Sequence, residues 1–264
     1  MSNKLKVAIA SLDITAGDKN ENINRLKACI GNLDSDTDLL VLPELFSTGF
    51  TSNNDRMKEL AETNGGMTIS MLRGIAAQYN VAVAGSYLAR TGSSIFNRAF
   101  FIEPSGDETF YDKRHLFSMS SEAKILVKGE SILPVVRYRG WNIAVAVCYD
   151  LRFPVWCRNV GLKYDLLTVP ANWPNSREYA WRHLLIARAI ENQAYIIGVN
   201  RSGEDKFGCY DNLSLAFDFC GKEIEAEHTS GSAVEYVTLE RDALERWRSD
   251  FSAWADSDVF EIKP

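Results

Sequence analysis

The chain has 264 residues, of which 46% are hydrophobic and 24% are charged, and its formal net charge is −6. A chain of this size buries roughly three-quarters of the surface that it exposes when unfolded, so we expect one domain over residues 1–264, with a C-terminal arm from about residue 251. The acidic balance, without a cluster of Lys and Arg, argues against nucleic acid as a partner, because such clusters bind phosphates.

Short, nearly continuous apolar runs predict strands that are buried on both faces. In chain order they span residues 6–10, 38–42, 81–84, 99–102, 141–147, 166–169 and 195–199. Two further strands are predicted at 213–217 and 232–239. We expect these runs to form a central sheet.

Helical periodicity between the runs predicts the layers that cover this sheet. Residues 23–33 and 69–79 each place apolar side chains on one face, and helices are also predicted at about 177–193 and 241–248. Strand and helix alternation of this kind is typical of an α/β layered fold. Residues 251–260 carry large aromatic side chains in a polar context without a clear period, which favours an arm packed on another surface, such as a second subunit.

Cysteine usage and hydropathy indicate the compartment. The five cysteines form no C-x-x-C pair and leave an odd number, which favours a reducing environment. The N-terminal apolar segment is too short and interrupted for a signal peptide, and no window reaches the ~20 apolar residues of a membrane span. We therefore expect a cytoplasmic protein that is not associated with a membrane.

Three polar residues lie at the ends of predicted strands. Glu44 follows 39–43, Lys113 follows 110–112 and Cys148 ends the run 143–147. Active sites of open α/β sheets gather at the carboxyl ends of strands, so these residues are candidates for a shared cleft. Taken singly, each has a plainer interpretation: a small core hydrophobe for the cysteine, a solvated loop residue for the glutamate and a surface turn for the lysine.

Together the three residues meet a chemical need. A free thiol has a pKa of about 8.5, so a cysteine nucleophile needs a base or a nearby cation. Glu44 fits the base. Lys113 and the backbone amide of Tyr149 fit the donors that stabilise the negative charge that develops when the thiolate attacks an amide or nitrile carbon.

Other hydrolase and cofactor classes lack a basis in the sequence. His183 lies mid-helix and His228 in a Glu-rich loop, while His115 is interpreted as a hydrogen-bonding residue behind the site. There is no G-x-S-x-G, H-E-x-x-H, P-loop or G-x-G-x-x-G motif and no cluster of metal ligands. We therefore expect an enzyme that needs no cofactor.

Three ordered motifs resemble those of the nitrilase, or carbon-nitrogen hydrolase, superfamily over nearly the whole chain. Residues 42–50 read LPELFSTGF, residues 111–117 read YDKRHLF and residues 147–154 read VCYDLRFP. The resemblance implies an α/β fold of the nitrilase type, a four-layer α-β-β-α sandwich.

The resemblance also implies roles for particular residues. Glu44 corresponds to the general base, Lys113 to the oxyanion stabiliser and Cys148 to the nucleophile. A second glutamate follows the lysine in this superfamily, and Glu122 is the best match, its alternative being a solvated loop residue. Members dimerise through the layer that contains the helix after the nucleophile, so a homodimer or higher homo-oligomer is implied.

Residues 170–195, which begin PANWP and end ENQAY, resemble the ω-amidase-type branch of the superfamily. That branch hydrolyses ω-monoamides of α-keto dicarboxylic acids, such as 2-oxoglutaramate, to the free acid and ammonia. Residues 207–211 (FGCYD) and 219–221 (FCG) depart from the usual pattern, which leaves details of the substrate pocket open.

The same resemblance suggests which side chains meet the substrate. Trp173 is expected to wall the pocket near the sulfur, with Tyr149 and Phe117 beside it. Arg152 or Arg177 is expected to bind a substrate carboxylate, the alternative for both being structural ion pairs.

The sequence thus predicts a cysteine-dependent hydrolase that cleaves a non-peptide carbon–nitrogen bond of a small-molecule amide through a thioester. Two alternatives remain open: an amidase for another small aliphatic or carbamoyl amide, and a catalytically silent scaffold of the same fold. The Tyr-Asp pair after the cysteine disfavours a nitrilase.

Overall fold

A computed structural model of the protein describes residues 3–211, 213–228, 234–258 and 260–262. The strands are β1 (Lys4–Ala10), β2 (Leu39–Val41), β3 (Ala82–Thr91), β4 (Ser94–Ile102), β5 (Glu108–Asp112), β6 (Val135–Tyr138), β7 (Trp141–Val145), β8 (Leu166–Ala171), β9 (Tyr195–Asn200), β10 (Ser202–Asp205), β11 (Gly208–Asp211), β12 (Leu215–Phe217), β13 (Glu227–His228) and β14 (Val234–Glu240). The α-helices are α1 (Lys19–Ile30), α2 (Asn54–Leu60), α3 (Met67–Tyr79), α4 (Glu122–Ile125), α5 (Glu178–Asn192) and α6 (Arg241–Asp250). Short 3-10 helices span Cys148–Arg152, Asn175–Arg177 and Ala253–Asp256.

The strands form two large sheets. One has the order β13-β14-β1-β2-β3-β4-β5 and the other the order β12-β9-β8-β7-β6, while β10 and β11 pair as a separate hairpin. Parallel pairs lie inside each sheet, β1–β2–β3 in the first and β7–β8–β9 in the second, with antiparallel strands outside them. The prediction of one central sheet was wrong, because a continuous apolar run indicates burial on both faces but not the sheet to which a strand belongs.

The two sheets pack face to face. In β1 the side chains of Leu5, Val7 and Ile9 point to the core that also contains β7, β8 and β9, while Ala8 and Ala10 point to a second core under α1 and α3. This alternation is the period-two geometry of a strand. The predicted helices over residues 23–33 and 69–79 therefore cover the outer face of the seven-stranded sheet.

Helix α5 covers the outer face of the five-stranded sheet. Its Trp181 and Leu185 are fully buried, and they pack directly over Gly198 of β9. A Cβ atom at Gly198 would lie 2.5 Å from the Trp181 ring, so the close approach requires glycine. The order helix, sheet, sheet, helix confirms the predicted four-layer α-β-β-α sandwich.

The short helices, the hairpin and the C-terminal segment, which lie outside the four layers of the sandwich, were harder to predict from the sequence. Helices α2 and α4 and the hairpin β10–β11 had no counterpart among the predicted elements, and residues 227–228 form a strand rather than a loop. Residues 232–233 of the last predicted strand lie outside the described residues. Trp254 of the C-terminal segment donates its backbone N–H to Gln193 Oε1 (3.1 Å), so this part of the segment packs on its own chain. Residue 259 of that predicted segment also lies outside the described residues.

None of the helices among the described residues combines the length and the apolar character needed to cross a membrane.

Candidate active site

A cavity of about 270 Å³ opens where strands of both sheets end. Every residue that the sequence singled out for the site lines it. These residues are Glu44, Lys113, Phe117, Glu122, Cys148, Tyr149, Arg152, Trp173 and Arg177. Glu44 lies after β2, Lys113 after β5 and Cys148 after β7, so the carboxyl ends of the strands bring the three motifs together.

Cys148 begins a tight turn in an unusual backbone conformation. Its φ angle is +45°, in the left-handed region that residues other than glycine rarely adopt. The turn continues as the 3-10 helix Cys148–Arg152, closed by a bond from Asp150 N to Val147 O (2.9 Å). Strain of this kind persists where the surroundings hold it, and it directs the side chain into the cavity.

Glu44 is buried and its two carboxylate oxygens have different partners. Oε1 accepts hydrogen bonds from Lys113 Nζ (2.8 Å) and Asn97 Nδ2 (2.8 Å). Oε2 accepts one from the backbone amide of Asn172 (3.1 Å). The Glu44 carboxylate also lies close enough to the Cys148 thiol to raise the pKa of that thiol. Glu44 is therefore in position to exchange a proton with the sulfur.

Lys113 is buried between two carboxylates. Its Nζ donates to Glu44 Oε1 (2.8 Å) and to Glu122 at 2.9 and 3.2 Å. Glu122 is also buried, and its Oε2 accepts from the Phe117 backbone amide (2.7 Å). Glu122 is thus no solvated loop residue. An ammonium has three N–H bonds, so two carboxylates leave one for a further acceptor in the cavity.

Burial and charge set the protonation states of this cluster. Burial raises the pKa of the Cys148 thiol well above its usual range, and the Glu44 carboxylate raises it further, against the opposing effects of Lys113 and the Asn172 backbone. Burial alone would lower the pKa of Lys113, but Glu122 and Glu44 together hold it well above its usual value. At neutral pH the free protein therefore holds a protonated thiol next to an ammonium.

Asp150 joins the turn at Cys148–Arg152, here called the cysteine turn, to residues 113–117, here called the lysine loop. One oxygen, Oδ1, lies 2.9 Å from the His115 backbone N and 2.8 Å from His115 Nδ1. The other, Oδ2, accepts from Tyr111 OH (3.0 Å) and from Val147 N (3.2 Å). His115 thus lies behind the cluster, in contact with Asp150.

Aromatic rings and arginines form the wall of the cavity. Arg152 lies over the Trp173 ring (4.8 Å) and Arg177 over the Phe117 ring (4.9 Å). Tyr149 meets Phe117 edge to face, with 5.1 Å between the ring centroids. The wall is therefore apolar with two cationic groups, a surface suited to a small anionic molecule.

The hairpin β10–β11 supplies a side of the cavity that the sequence did not identify. Asp205, Phe207 and Tyr210 line it, and Phe207 lies against Phe50 (6.0 Å between the ring centroids). Cys209 of the same hairpin is exposed. Phe207 and Tyr210 belong to the segment 207–211 that departs from the usual family pattern, so this segment borders the cavity.

Asn97 and Asn172 also escaped the sequence analysis. Asn97 Nδ2 lies 2.8 Å from Glu44 Oε1 and 3.4 Å from Glu122 Oε1, and Asn172 binds Glu44 through its backbone and its side chain. The signal in the sequence for Asn97 was a polar residue inside the apolar run 95–102.

No group of three or more His, Cys, Asp or Glu residues within the described ranges is arranged to hold a metal ion. The chemistry that the cavity's own side chains can support is proton transfer between Glu44 and Cys148, attack by the sulfur on a carbonyl carbon and stabilisation of the resulting oxyanion by Lys113.

Comparison with known sequences agrees with this chemistry. The profile of the family described as carbon-nitrogen hydrolase matches residues 6–249. The chain is 41% identical over 226 residues to omega-amidase YafV of Escherichia coli (strain K12), which covers 85% of this chain and 86% of that protein. It is 33% identical over 244 residues to 2-oxoglutaramate amidase of Bacillus subtilis (strain 168), or 91% of this chain and 93% of that protein.

Solved structures have the same fold. XC1258 from Xanthomonas campestris, described as a CN-hydrolase superfamily protein with an arsenic adduct in its active site, superposes with a TM-score of 0.92 at 35% identity over 99% of this chain and 100% of that chain. Saccharomyces cerevisiae Nit3, described as a member of branch 10 of the nitrilase superfamily, superposes with a TM-score of 0.81 over 95% of each chain. Nit3 is 22% identical and shows the fold alone.

Proposed function

The chain belongs to the carbon-nitrogen hydrolase family, and from this premise we propose that it is an ω-amidase. It is a hydrolase of non-peptide carbon–nitrogen bonds, and the proposal adds the substrate: the ω-amide of an α-keto dicarboxylic acid monoamide, such as 2-oxoglutaramate. One observation carries the proposal. Cys148, Glu44 and Lys113 meet at a cavity whose wall also presents the guanidinium groups of Arg152 and Arg177.

The first half of the reaction forms a thioester. Glu44 takes the thiol proton as the Cys148 sulfur attacks the amide carbon, because a thiol with a raised pKa needs a base during the attack. The oxyanion accepts hydrogen bonds from Lys113 Nζ and the backbone amide of Tyr149. Glu44 then returns the proton to the amide nitrogen, the carbon–nitrogen bond breaks and ammonia leaves.

The second half hydrolyses the thioester. A water molecule replaces ammonia, Glu44 takes a proton from it as it attacks the thioester carbon, and the same donors hold the second oxyanion. The carbon–sulfur bond breaks, the proton passes to the sulfur and the free acid leaves. Glu122 keeps Lys113 oriented through both halves, since it holds Nζ with both carboxylate oxygens.

Arg152 is the proposed partner of the substrate carboxylate. It lies four residues after the nucleophile on the same turn, so its position is fixed together with that of Cys148. Its guanidinium lies over the Trp173 ring and forms no hydrogen bond with another described residue, so its N–H groups are available for a bidentate pair with a carboxylate.

Ammonia release from a panel of amides tests the proposal. The panel contains 2-oxoglutaramate, glutamine, asparagine and a neutral aliphatic amide such as propionamide, each measured with the wild type and with Cys148→Ala. We expect rapid release from 2-oxoglutaramate that Cys148→Ala abolishes. Cysteine-dependent release from the neutral amide alone would move the substrate to that class, and no release from any amide would favour a scaffold.

We also propose a homodimer that forms through the layer of α5. Val155, Tyr179 and Ile190 on or near this helix are each more than half exposed, which leaves apolar surface for a partner subunit. Sedimentation velocity should give the mass of two chains, and Ile190→Glu should give that of one. A wild type that sediments as a monomer would contradict this proposal.

The cytoplasm is the proposed location. All five cysteines are free in the structure, which is the form that a reducing compartment maintains. Cell fractionation with an antibody checks it, and recovery with an extracytoplasmic marker would argue against it.

A further inference from the structure

Arg152 and Arg177 differ from the other cations that line the cavity. Lys113 is bonded to two carboxylates, and Arg201 is paired with Asp205 (2.9 Å). Neither Arg152 nor Arg177 forms an ion pair, or a hydrogen bond from its guanidinium, with any residue in the part of the chain that the structure describes. The described residues therefore offer no ion-pair partner for either arginine, which speaks against the interpretation of both as structural ion pairs.

Arg177 is held in place by contacts that leave its charge available. Its backbone O accepts a hydrogen bond from Trp173 Nε1 (2.9 Å), and its backbone N donates to Pro174 O (2.9 Å). Its guanidinium lies 4.9 Å from the centre of the Phe117 ring. Because a contact with the ring uses none of the N–H groups in a hydrogen bond with another described residue, these groups can still donate to a ligand.

A substrate with one carboxylate needs one of these two arginines. A single guanidinium satisfies a carboxylate with two parallel hydrogen bonds, and Arg152 takes that role in the proposed function. The second guanidinium then requires another acceptor on the same small molecule. In a 2-oxo acid the nearest acceptor to the carboxylate is the oxygen on C2.

We propose that Arg177 is a specificity-determining residue, which donates to the C2 oxygen and selects monoamides of 2-oxo acids over those of 2-amino acids. This role rests on the proposed function. A 2-amino acid carries an ammonium on C2, which would lie next to the Arg177 guanidinium. The three carboxylates that line the cavity are those of Glu44, Glu122 and Asp205, and each is already bonded to a cation of the protein. The ammonium would therefore enter unpaired, against like charge.

Three substrates that differ only at C2 test this role. They are 2-oxoglutaramate, L-glutamine and glutaramate, in which C2 carries oxygen, an ammonium and two hydrogens. A hydrogen bond from a charged donor supports a loss of about tenfold to a hundredfold in kcat/KM. We expect Arg177→Gln to show that loss with 2-oxoglutaramate and little change with glutaramate. The preference for 2-oxoglutaramate over glutamine should fall at least as much.

Three further variants make the result specific. Arg152→Gln should lower kcat/KM for all three substrates, because they share the carboxylate. Arg177→Lys keeps the positive charge and should keep the discrimination against glutamine. Arg182→Gln, in α5 but outside the cavity, where Arg182 pairs with Glu223, serves as the matched control and should change nothing.

Two results would overturn the role of Arg177. An equal fall in kcat/KM of Arg177→Gln with 2-oxoglutaramate and with glutaramate would make Arg177 a carboxylate-binding or structural residue. Unchanged kcat/KM with both substrates would show that Arg177 takes no part in substrate recognition. If glutamine turnover is below detection, the role of Arg177 is judged from kcat/KM for 2-oxoglutaramate against that for glutaramate. A wild type inactive on 2-oxoglutaramate would instead overturn the proposed function, and this role with it.

Discussion

The protonation state of Cys148 is the feature of the site that depends most on single residues. Burial and the Glu44 carboxylate both raise the pKa of the thiol, whereas Lys113 lowers it. The lysine is itself neutralised by two carboxylates, so its effect on the sulfur is reduced. Because the thiolate is the reactive form, we expect the Cys148 thiol to react slowly with alkylating reagents in the free enzyme.

Glu44→Gln should therefore have opposite effects on two reactions of Cys148. Loss of the carboxylate lowers the pKa of the thiol and leaves Lys113 less neutralised, so more thiolate is present at pH 7 and alkylation becomes faster. Amide hydrolysis should fall a hundredfold or more, because the base is missing. The alkylation rate is measured from pH 6 to 10 with iodoacetamide, by mass spectrometry of the peptide that contains Cys148.

Exposed Cys209 provides the internal control for this measurement, since its labelling rate should not change in the variant. Slower labelling of Cys148 in Glu44→Gln than in the wild type would contradict the assignment of Glu44 as the group that holds the thiol protonated.

At the scale of elements, the cysteine turn and the lysine loop are joined by one carboxylate. Asp150 is fully buried, and its carboxylate makes four contacts, with Tyr111 and His115 on the lysine side and with the backbone of Val147 on the cysteine side. Asp150 thus acts as a positioning residue: it holds the strained backbone of Cys148 at a fixed distance from Lys113.

Asp150→Asn keeps the shape of the side chain but presents an NH₂ group to N–H and O–H donors. We expect the free energy of unfolding to fall by about 2–4 kcal/mol. We also expect kcat to fall at least tenfold while KM stays within a factor of about two, because the cavity wall is untouched. Urea denaturation and steady-state kinetics measure these quantities. Asp55→Asn on exposed α2 is the control, and wild-type kcat in Asp150→Asn would disprove the positioning role.

Elements differed in how far the sequence could predict them. Strands such as β1, β8 and β9 are buried on both faces, so their apolar runs stand out, and helices with one buried face show a clear period. Helices α2 and α4 are too short for a period, and the strands of the hairpin β10–β11 have one buried residue, Tyr210, among half-buried and exposed ones. These are the segments whose conformation depends on the rest of the fold.

The residues of the site also differed in how far the sequence could predict them. Glu44, Lys113 and Cys148 could be found because each ends a strand within an ordered motif, and the structure brings them together. Asn97 could not, since a polar side chain within a strand reveals its partners only when the neighbouring loops are in place. The charge on Arg177 was visible, but the lack of a partner for it required the packed structure.

At the scale of the whole molecule, the site and the anchor of α6 lie at opposite ends of the five-stranded sheet. Asp165 and Gln193 precede β8 and β9, whereas Asn172 follows β8 at the cavity. The Arg248 guanidinium of α6 donates to Asp165 Oδ1 (2.7 Å), Tyr164 O (2.8 Å) and Gln193 O (2.8 Å). A buried group with these partners ties the C-terminal helix to the amino ends of the strands.

Arg248→Met should separate stability from catalysis. The substitution keeps the apolar stem but leaves Asp165 buried without its cation, and removing one partner of a buried pair costs about 3–5 kcal/mol. Urea denaturation should show that loss, while kcat and KM at 10 °C should match the wild type because the cavity lies at the other end of the sheet. Arg246→Met, on the exposed face of α6, should leave both unchanged. A large fall in kcat for Arg248→Met at full folding would mean that the two ends of the sheet are coupled, and that the rigid layers do not isolate the site from the C-terminal helix.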